Sequence, residues 1–219
     1  MAKTKAGSLL RLLSICGIAA LACGSCSTPT DRIVGKVVAK EGAATAGPSS
    51  ADRRTLRRGA PILPGDRLVT DTTGRVEIEF HDGIRLTVGP STDLKIRSYF
   101  LGADRPLAGI IDLFEGAVGA EVPGTVRVTL DFQTNTAAIS GRHAVWTLIA
   151  EEENTLSAVH TGTVQAQKLD IGRGPVGSVV TAEASFIVEI PAIGPVIRRK
   201  PRETEFEVLG SRLAVAKPE

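Results

Sequence analysis

Residues 75–80, Arg-Val-Glu-Ile-Glu-Phe, alternate strictly between polar and apolar side chains. A period of two places Val76, Ile78 and Phe80 on one face of an extended segment and the charged residues on the other, the pattern of a half-buried strand. His81-Asp82-Gly83 follows, and Asp-Gly is a hairpin signal because both residues tolerate positive φ. Residues 84–88, Ile-Arg-Leu-Thr-Val, then alternate again, and Gly89-Pro90 stops them. Val76, Ile78, Phe80, Ile84, Leu86 and Val88 are therefore expected to be buried together.

The same grammar continues along the chain. Leu94, Ile96 and Tyr99 mark a further strand, and Val126, Val128, Leu130 and Phe132 recur at every second residue. Residues 110–114 and 117–122 flank Glu115-Gly116, a hairpin candidate, and residues 155–160 and 163–167 flank Thr161-Gly162. Further apolar runs lie at 33–39, 144–149, 178–182 and 185–190, with a short strand candidate at 206–209. About a dozen strands at a spacing of roughly 8–12 residues predict an all-β fold, with many short antiparallel strands in a sandwich or solenoid. The 23 glycines and 12 prolines argue against long helices, and no window outside residues 1–22 carries a helical stripe. Residues 45–60 read as a polar surface loop, and Trp146 as a core anchor.

The first 22 residues read as a targeting segment. Lys3 and Lys5 precede an apolar run from Leu9 to Leu21, and small residues close it. The run is too short to span a bilayer, which takes about 20 helical residues. Two processing readings stand side by side. Ala20-Leu21-Ala22 is a site for ordinary signal peptidase. The same residues followed by Cys23 resemble a bacterial lipobox, with Ala20 where the motif prefers Leu. The second reading is preferred because a cysteine stands in the right place; it makes Cys23 the lipidated N-terminus, anchored by buried acyl chains. Gly24 differs from the aspartate-type retention signal, which favours the outer membrane. Residues 23–32 would then be a linker, residues 33–169 a β domain, and residues 170–219 an extension with short strands and a basic linker at residues 198–202. Removing residues 1–22 removes Lys3, Lys5 and Arg11 but no acid, so the net charge of +2 belongs to the export segment. No field strong enough for nucleic acid remains. Cysteines lie only at 16, 23 and 26, so no disulfide framework is available to the folded body.

Little in the sequence points to chemistry. His81, His143 and His160 do not share a ligand spacing, and a zinc site needs three or four converging donors. There is no G-x-S-x-G elbow. The run Gly172-Arg173-Gly174-Pro175-Val176-Gly177 reads as a turn, since Pro175 removes a donor and no Lys-Ser/Thr closes a phosphate loop. Glu151-Glu152-Glu153-Asn154 reads as a solvated hairpin tip. The expectation is a protein without catalytic residues, metal or cofactor.

Residues 63–70, Leu-Pro-Gly-Asp-Arg-Leu-Val-Thr, precede Gly74-Arg75-Val76-Glu77-Ile78-Glu79-Phe80 and then Asp82-Gly83-Ile84-Arg85-Leu86. This order resembles the FecR domain, an extracytoplasmic bacterial family in which a G-D-x-V-x-T turn precedes a G-x-A-x-L-x-F-x-D-G hairpin. Leu113-Phe114-Glu115-Gly116, residues 136–141 and Thr161-Gly162-Thr163-Val164 resemble later segments of the family, so the likeness spans about residues 33–169. Gly141-Arg142-His143 stands where the family has Arg-Gly-Thr. Sensor-type members add a cytoplasmic segment that meets a sigma factor, a membrane helix and a C-terminal receptor-contacting domain; here an export signal stands instead. The resemblance implies a non-catalytic protein of the cell envelope, periplasmic or anchored to the outer membrane. It would be a scaffold or interaction module for an envelope protein partner, held to the membrane if Cys23 is modified. The alternatives are a periplasmic regulator in cell-surface signalling and a binder of envelope polysaccharide.

Overall fold

A computed structural model describes residues 33–99, 108–170, 172, 174–211 and 213. Its strands, in chain order, are β1 (Gly35–Glu41), β2 (Ala44–Gly47), β3 (Arg54–Thr55), β4 (Pro61–Ile62), β5 (Arg67–Thr70), β6 (Arg75–Phe80), β7 (Arg85–Val88) and β8 (Asp93–Tyr99). They continue with β9 (Ala108–Glu121), β10 (Thr129–Gln133), β11 (Ala137–Ala150), β12 (Asn154–Asp170), β13 (Gly174–Glu183), β14 (Phe186–Pro191) and β15 (Ile197–Arg199). One helix, α1 (Glu205–Ser211), follows. The fold is all-β, as the alternation requires.

The strands pair into two layers that share three long strands. One layer runs β3, β2, β5, β8, the first half of β9, β10, the first half of β11, the second half of β12, and β13. The other runs β4, β1, β6, β7, the second halves of β9 and β11, the first half of β12, β14 and β15. The two layers face each other across the core. Phe80 of β6 stacks on Tyr99 of β8 with ring centroids 4.3 Å apart. Phe132 of β10 meets Trp146 of β11 edge-on at 6.1 Å. The six residues expected to be buried in the β6–β7 hairpin are all at most 1% exposed, and so is Trp146. Tyr99 O–H donates to Asp82 Oδ2 at 2.7 Å, tying the core to the hairpin turn; burial, and then this bond, push its phenol pKa up.

Several expectations need correction. The strands are not all short: β9 and β11 have 14 residues each and β12 has 17. Nor are all pairings antiparallel, since β10 runs parallel to β9 from Thr129↔Ala108 to Gln133↔Asp112. Glu115-Gly116 and Thr161-Gly162 are not hairpins but bends inside β9 and β12, where each strand passes from one layer to the other. Gly116 and Gly162 have φ of +99° and +74°. A Cβ at Gly116 would lie 2.4 Å from Thr92 Oγ1, and one at Gly162 would lie 2.2 Å from the His143 carbonyl oxygen. Glycine is therefore required at both bends for conformation and for space. Residues 45–60 are not a plain loop: they hold β2 and β3, with Ala46 and Leu56 fully buried. Residues 206–209 lie in a helix, because Phe206, Leu209 and Leu213 are spaced to form one apolar stripe. That stripe packs on Ala117, Ile149, Leu156, Ala158 and Ile187, on the outer face of the second layer.

Candidate functional site, an uncharged sheet edge

The positions flagged by the sequence do not converge. His81 is exposed beside its turn. His143, also exposed and at φ +51°, bonds through Nε2 to the Val126 carbonyl at 2.9 Å. His160 bonds through Nε2 to Thr147 Oγ1 at 2.8 Å, and its ring lies 5.1 Å from that of Phe206. Burial lowers the His160 pKa. Among the described residues no group of three His, Cys, Asp or Glu side chains is placed to hold a metal ion. Glu151, Glu152 and Glu153 are exposed at the β11–β12 turn, and Gly172 lies in the turn before β13. Cys23 lies outside the described residues.

The basic run at 198–202 is not a free linker. Arg199 Nε donates to Glu189 Oε1 at 2.9 Å, and its Nη1 and Nη2 donate to the two Glu205 oxygens at 2.8 and 2.7 Å. Arg198 lies over the Phe186 ring, 4.0 Å from its centroid. The Arg199 hydrogen bonds hold the Glu205 carboxyl at a pKa of about 2, below its ordinary 4.5. A lowered native pKa means that this contribution to docking α1 is complete above pH 4.5 and fades as pH falls toward 2. Amide exchange in α1 should therefore speed up between pH 5 and pH 3 relative to exchange in β6. In Glu205→Gln it should already be fast at pH 5. An α1 whose relative protection does not change with acid would show that the clamp does not hold the helix.

What the fold leaves open is an edge. The strands β3, β4 and β15 end their layers with two, two and three residues, too short to template another strand. By contrast, β13 has ten residues and, among the described residues, pairs with β12 alone. Its first nine residues, Gly-Pro-Val-Gly-Ser-Val-Val-Thr-Ala, carry no charge. Val179 is 52% exposed. Edges are ordinarily blunted by lysines, bulges or brevity; here only Pro175 near the start and a register shift opposite Ala166–Lys168 do so. Beside the edge, on the outer face of its layer, runs a groove of about 260 Å³ lined by Asp131, Gln133, Ser140, Gln165, Gln167 and Val179. In the sequence, residues 178–182 read as one more apolar run. The signal it carried was the missing charge, in a strand that proved to have one neighbour.

The model of the family described as FecR protein matches residues 66–165. That span starts at Asp66, buried beneath Arg54, and ends within β12. No curated protein matches the chain. Two crystal structures of a candidate anti-sigma factor from Parabacteroides distasonis ATCC 8503, at 1.65 and 2.50 Å resolution, are similar to it with TM-scores of 0.51 and 0.52. Identities are 14% and 13%, and each likeness covers 64% of this chain and 62% of the other, so it is a likeness of fold over less than two thirds of that protein. No described helix is long and apolar enough to cross a membrane.

Proposed function

We propose, from the premise that residues 66–165 carry a FecR domain, that the chain is a non-catalytic protein-interaction module of the cell envelope that regulates cell-surface signalling. The FecR match and the fold shared with a candidate anti-sigma factor support a regulatory role. The observation that carries the binding mode is the ten-residue, nearly uncharged edge of β13. An extended partner segment adds to it as a further strand. Main-chain hydrogen bonds supply affinity, and the adjoining groove accepts alternate side chains for specificity. Lipidation at Cys23 would hold the module at the membrane and place this edge in the periplasm.

The test is a crosslinking pulldown from intact cells, comparing wild type with Val179→Lys. Val179 is mostly exposed, so a lysine there places charge on the edge without entering the core. Capture should fall at least tenfold while the melting temperature stays unchanged. A partner retained at the wild-type level would reject strand addition at β13. A second reading, binding of envelope polysaccharide, is favoured by the amides of Gln133, Gln165 and Gln167 and the hydroxyl of Ser140 in the groove. Retention on purified cell wall that is lost in Gln165→Ala but kept in Val179→Lys would favour it.

A further inference from the structure

We infer that the outward face of residues 53–58 is a docking surface for the phosphate groups of an anionic lipid bilayer. The inference is independent of the β13 reading. Residues 53–58 read Arg-Arg-Thr-Leu-Arg-Arg. Arg54 is half-buried and Leu56 fully buried, whereas Arg53, Thr55, Arg57 and Arg58 are exposed. The period of two sets Arg53 and Arg57 outward against Arg54 and Leu56, and the turn that begins at Arg58 exposes that arginine as well, which leaves one structural arginine and three presented ones.

Arg54 makes the surface rigid. Its Nη1 donates to the Ala46 carbonyl at 3.3 Å and to Asp66 Oδ1 at 2.9 Å, and its Nη2 donates to the Pro61 carbonyl at 2.7 Å. Asp66, 1% exposed, also accepts from the Leu63 N–H at 2.9 Å. Leu56 plugs the segment into the core, and its N–H donates to the Ala44 carbonyl at 2.9 Å. Arg57 and Arg58 then sit on a tight turn closed by Ala60 N–H to the Arg57 carbonyl, with Gly59 at φ +82°. That turn is bonded to β1, through Gly59 N–H to the Val37 carbonyl and Val37 N–H to the Ala60 carbonyl.

Among the described residues the presented cations form no ion pair. Arg54, Arg67, Arg75, Arg85, Arg97 and Arg199 all engage carboxylates. Arg53, Arg57 and Arg58 engage none among the described residues, and the one acid inside the loop, Asp52, is held by Ser49 Oγ at 2.6 Å. The turn also lies on β1, the first strand after the stretch that begins at Cys23. Ten residues lie between Cys23 and Val34, and the eleven steps of chain span at most roughly 40 Å when extended. A lipid on Cys23 would keep this ridge within reach of the headgroups, and two weak attachments together would hold the domain against the surface. Each presented arginine adds roughly a fivefold gain in affinity for a negatively charged bilayer, and the gain is screened by salt.

The experiment uses the full chain carrying Cys23→Ser, so that acyl chains contribute nothing, and co-sedimentation with vesicles of phosphatidylethanolamine and phosphatidylglycerol at a ratio of 3:1. Binding is expected to these vesicles and not to phosphatidylcholine vesicles, and to weaken with salt. Arg57→Gln/Arg58→Gln should bind about 25-fold more weakly, from two fivefold steps, with an unchanged melting temperature. Arg127→Gln, an exposed arginine elsewhere, should bind like the parent. Inorganic phosphate at millimolar concentration should not compete. Equal loss in Arg127→Gln, equal binding to phosphatidylcholine, or an Arg57→Gln/Arg58→Gln chain that binds like the parent would each overturn the proposal. Competition by phosphate would assign the ridge to free phosphate instead of a bilayer. Binding to polyglutamate with none to vesicles would assign it to an acidic peptide.

Discussion

Ile78→Asp is expected to unfold the domain. Ile78 is completely buried at the centre of the β6–β7 hairpin, paired with Val37 on one side and Leu86 on the other. Removing its side chain forfeits about 2 kcal/mol of apolar burial. The carboxylate that replaces it has no cation to meet, and an uncompensated buried charge costs about 3–5 kcal/mol more. The sum matches the entire stability of many domains of this size, about 5–15 kcal/mol. Glu77→Ala, one residue away on the outer face, should cost under about 0.5 kcal/mol. Urea denaturation followed by Trp146 fluorescence measures both. Comparable midpoints for the two variants would mean that β6 does not present alternate faces to core and solvent.

The second large effect is at a bend. Gly162→Val should destabilise by about 4 kcal/mol, combining about 1–3 kcal/mol for a β-branched residue held at positive φ with about 1–3 kcal/mol of overpacking. The added Cβ would meet the His143 carbonyl oxygen at 2.2 Å and Ala144 Cα at 2.8 Å, both backbone atoms of the neighbouring strand that cannot swing away. Gly172→Ala is the control. Its φ is +82°, yet nothing lies within 4 Å of the new Cβ, so only the conformational cost of about 1 kcal/mol remains. If the two variants lost equal stability, β12 would not be bent against β11 as described.

The pair also shows why the strands were legible and their connections were not. Thr161-Gly162 and Asp82-Gly83 look alike in sequence, a polar residue before a glycine between alternating runs. Asp82-Gly83 closes a hairpin because β6 pairs with β7 immediately after it. Thr161-Gly162 continues one strand because β11 runs alongside both halves of β12. Turn chemistry says that the chain can adopt positive φ there; whether it then reverses depends on which strand waits beside it. Glu115-Gly116 follows the same logic, with β8 along the first half of β9 and β7 and β11 along the second. The parallel β9–β10 pairing was invisible for a related reason, since parallel and antiparallel neighbours impose the same alternation on a strand.

Charge followed a similar division. The run at 198–202 and the run at 53–58 are both arginine-rich, and composition ranks them alike. Folding brings Glu189 and Glu205 onto Arg199, and Asp66 onto Arg54, while leaving Arg53, Arg57 and Arg58 outside. In β13 the absence of charge was written in the chain, but its meaning was not. An uncharged strand in the middle of a sheet is unremarked core, and the same strand at the edge is an open row of backbone donors and acceptors. The residues alone thus determined the all-β class, the inward faces of β6 and β7, and the turn at Asp82-Gly83. Each of these follows from neighbours one to three positions apart. Which glycines bend, which cations stay free and which strand lies at the edge were decided by the tertiary structure, because each depends on groups tens of residues away that only folding brings into contact.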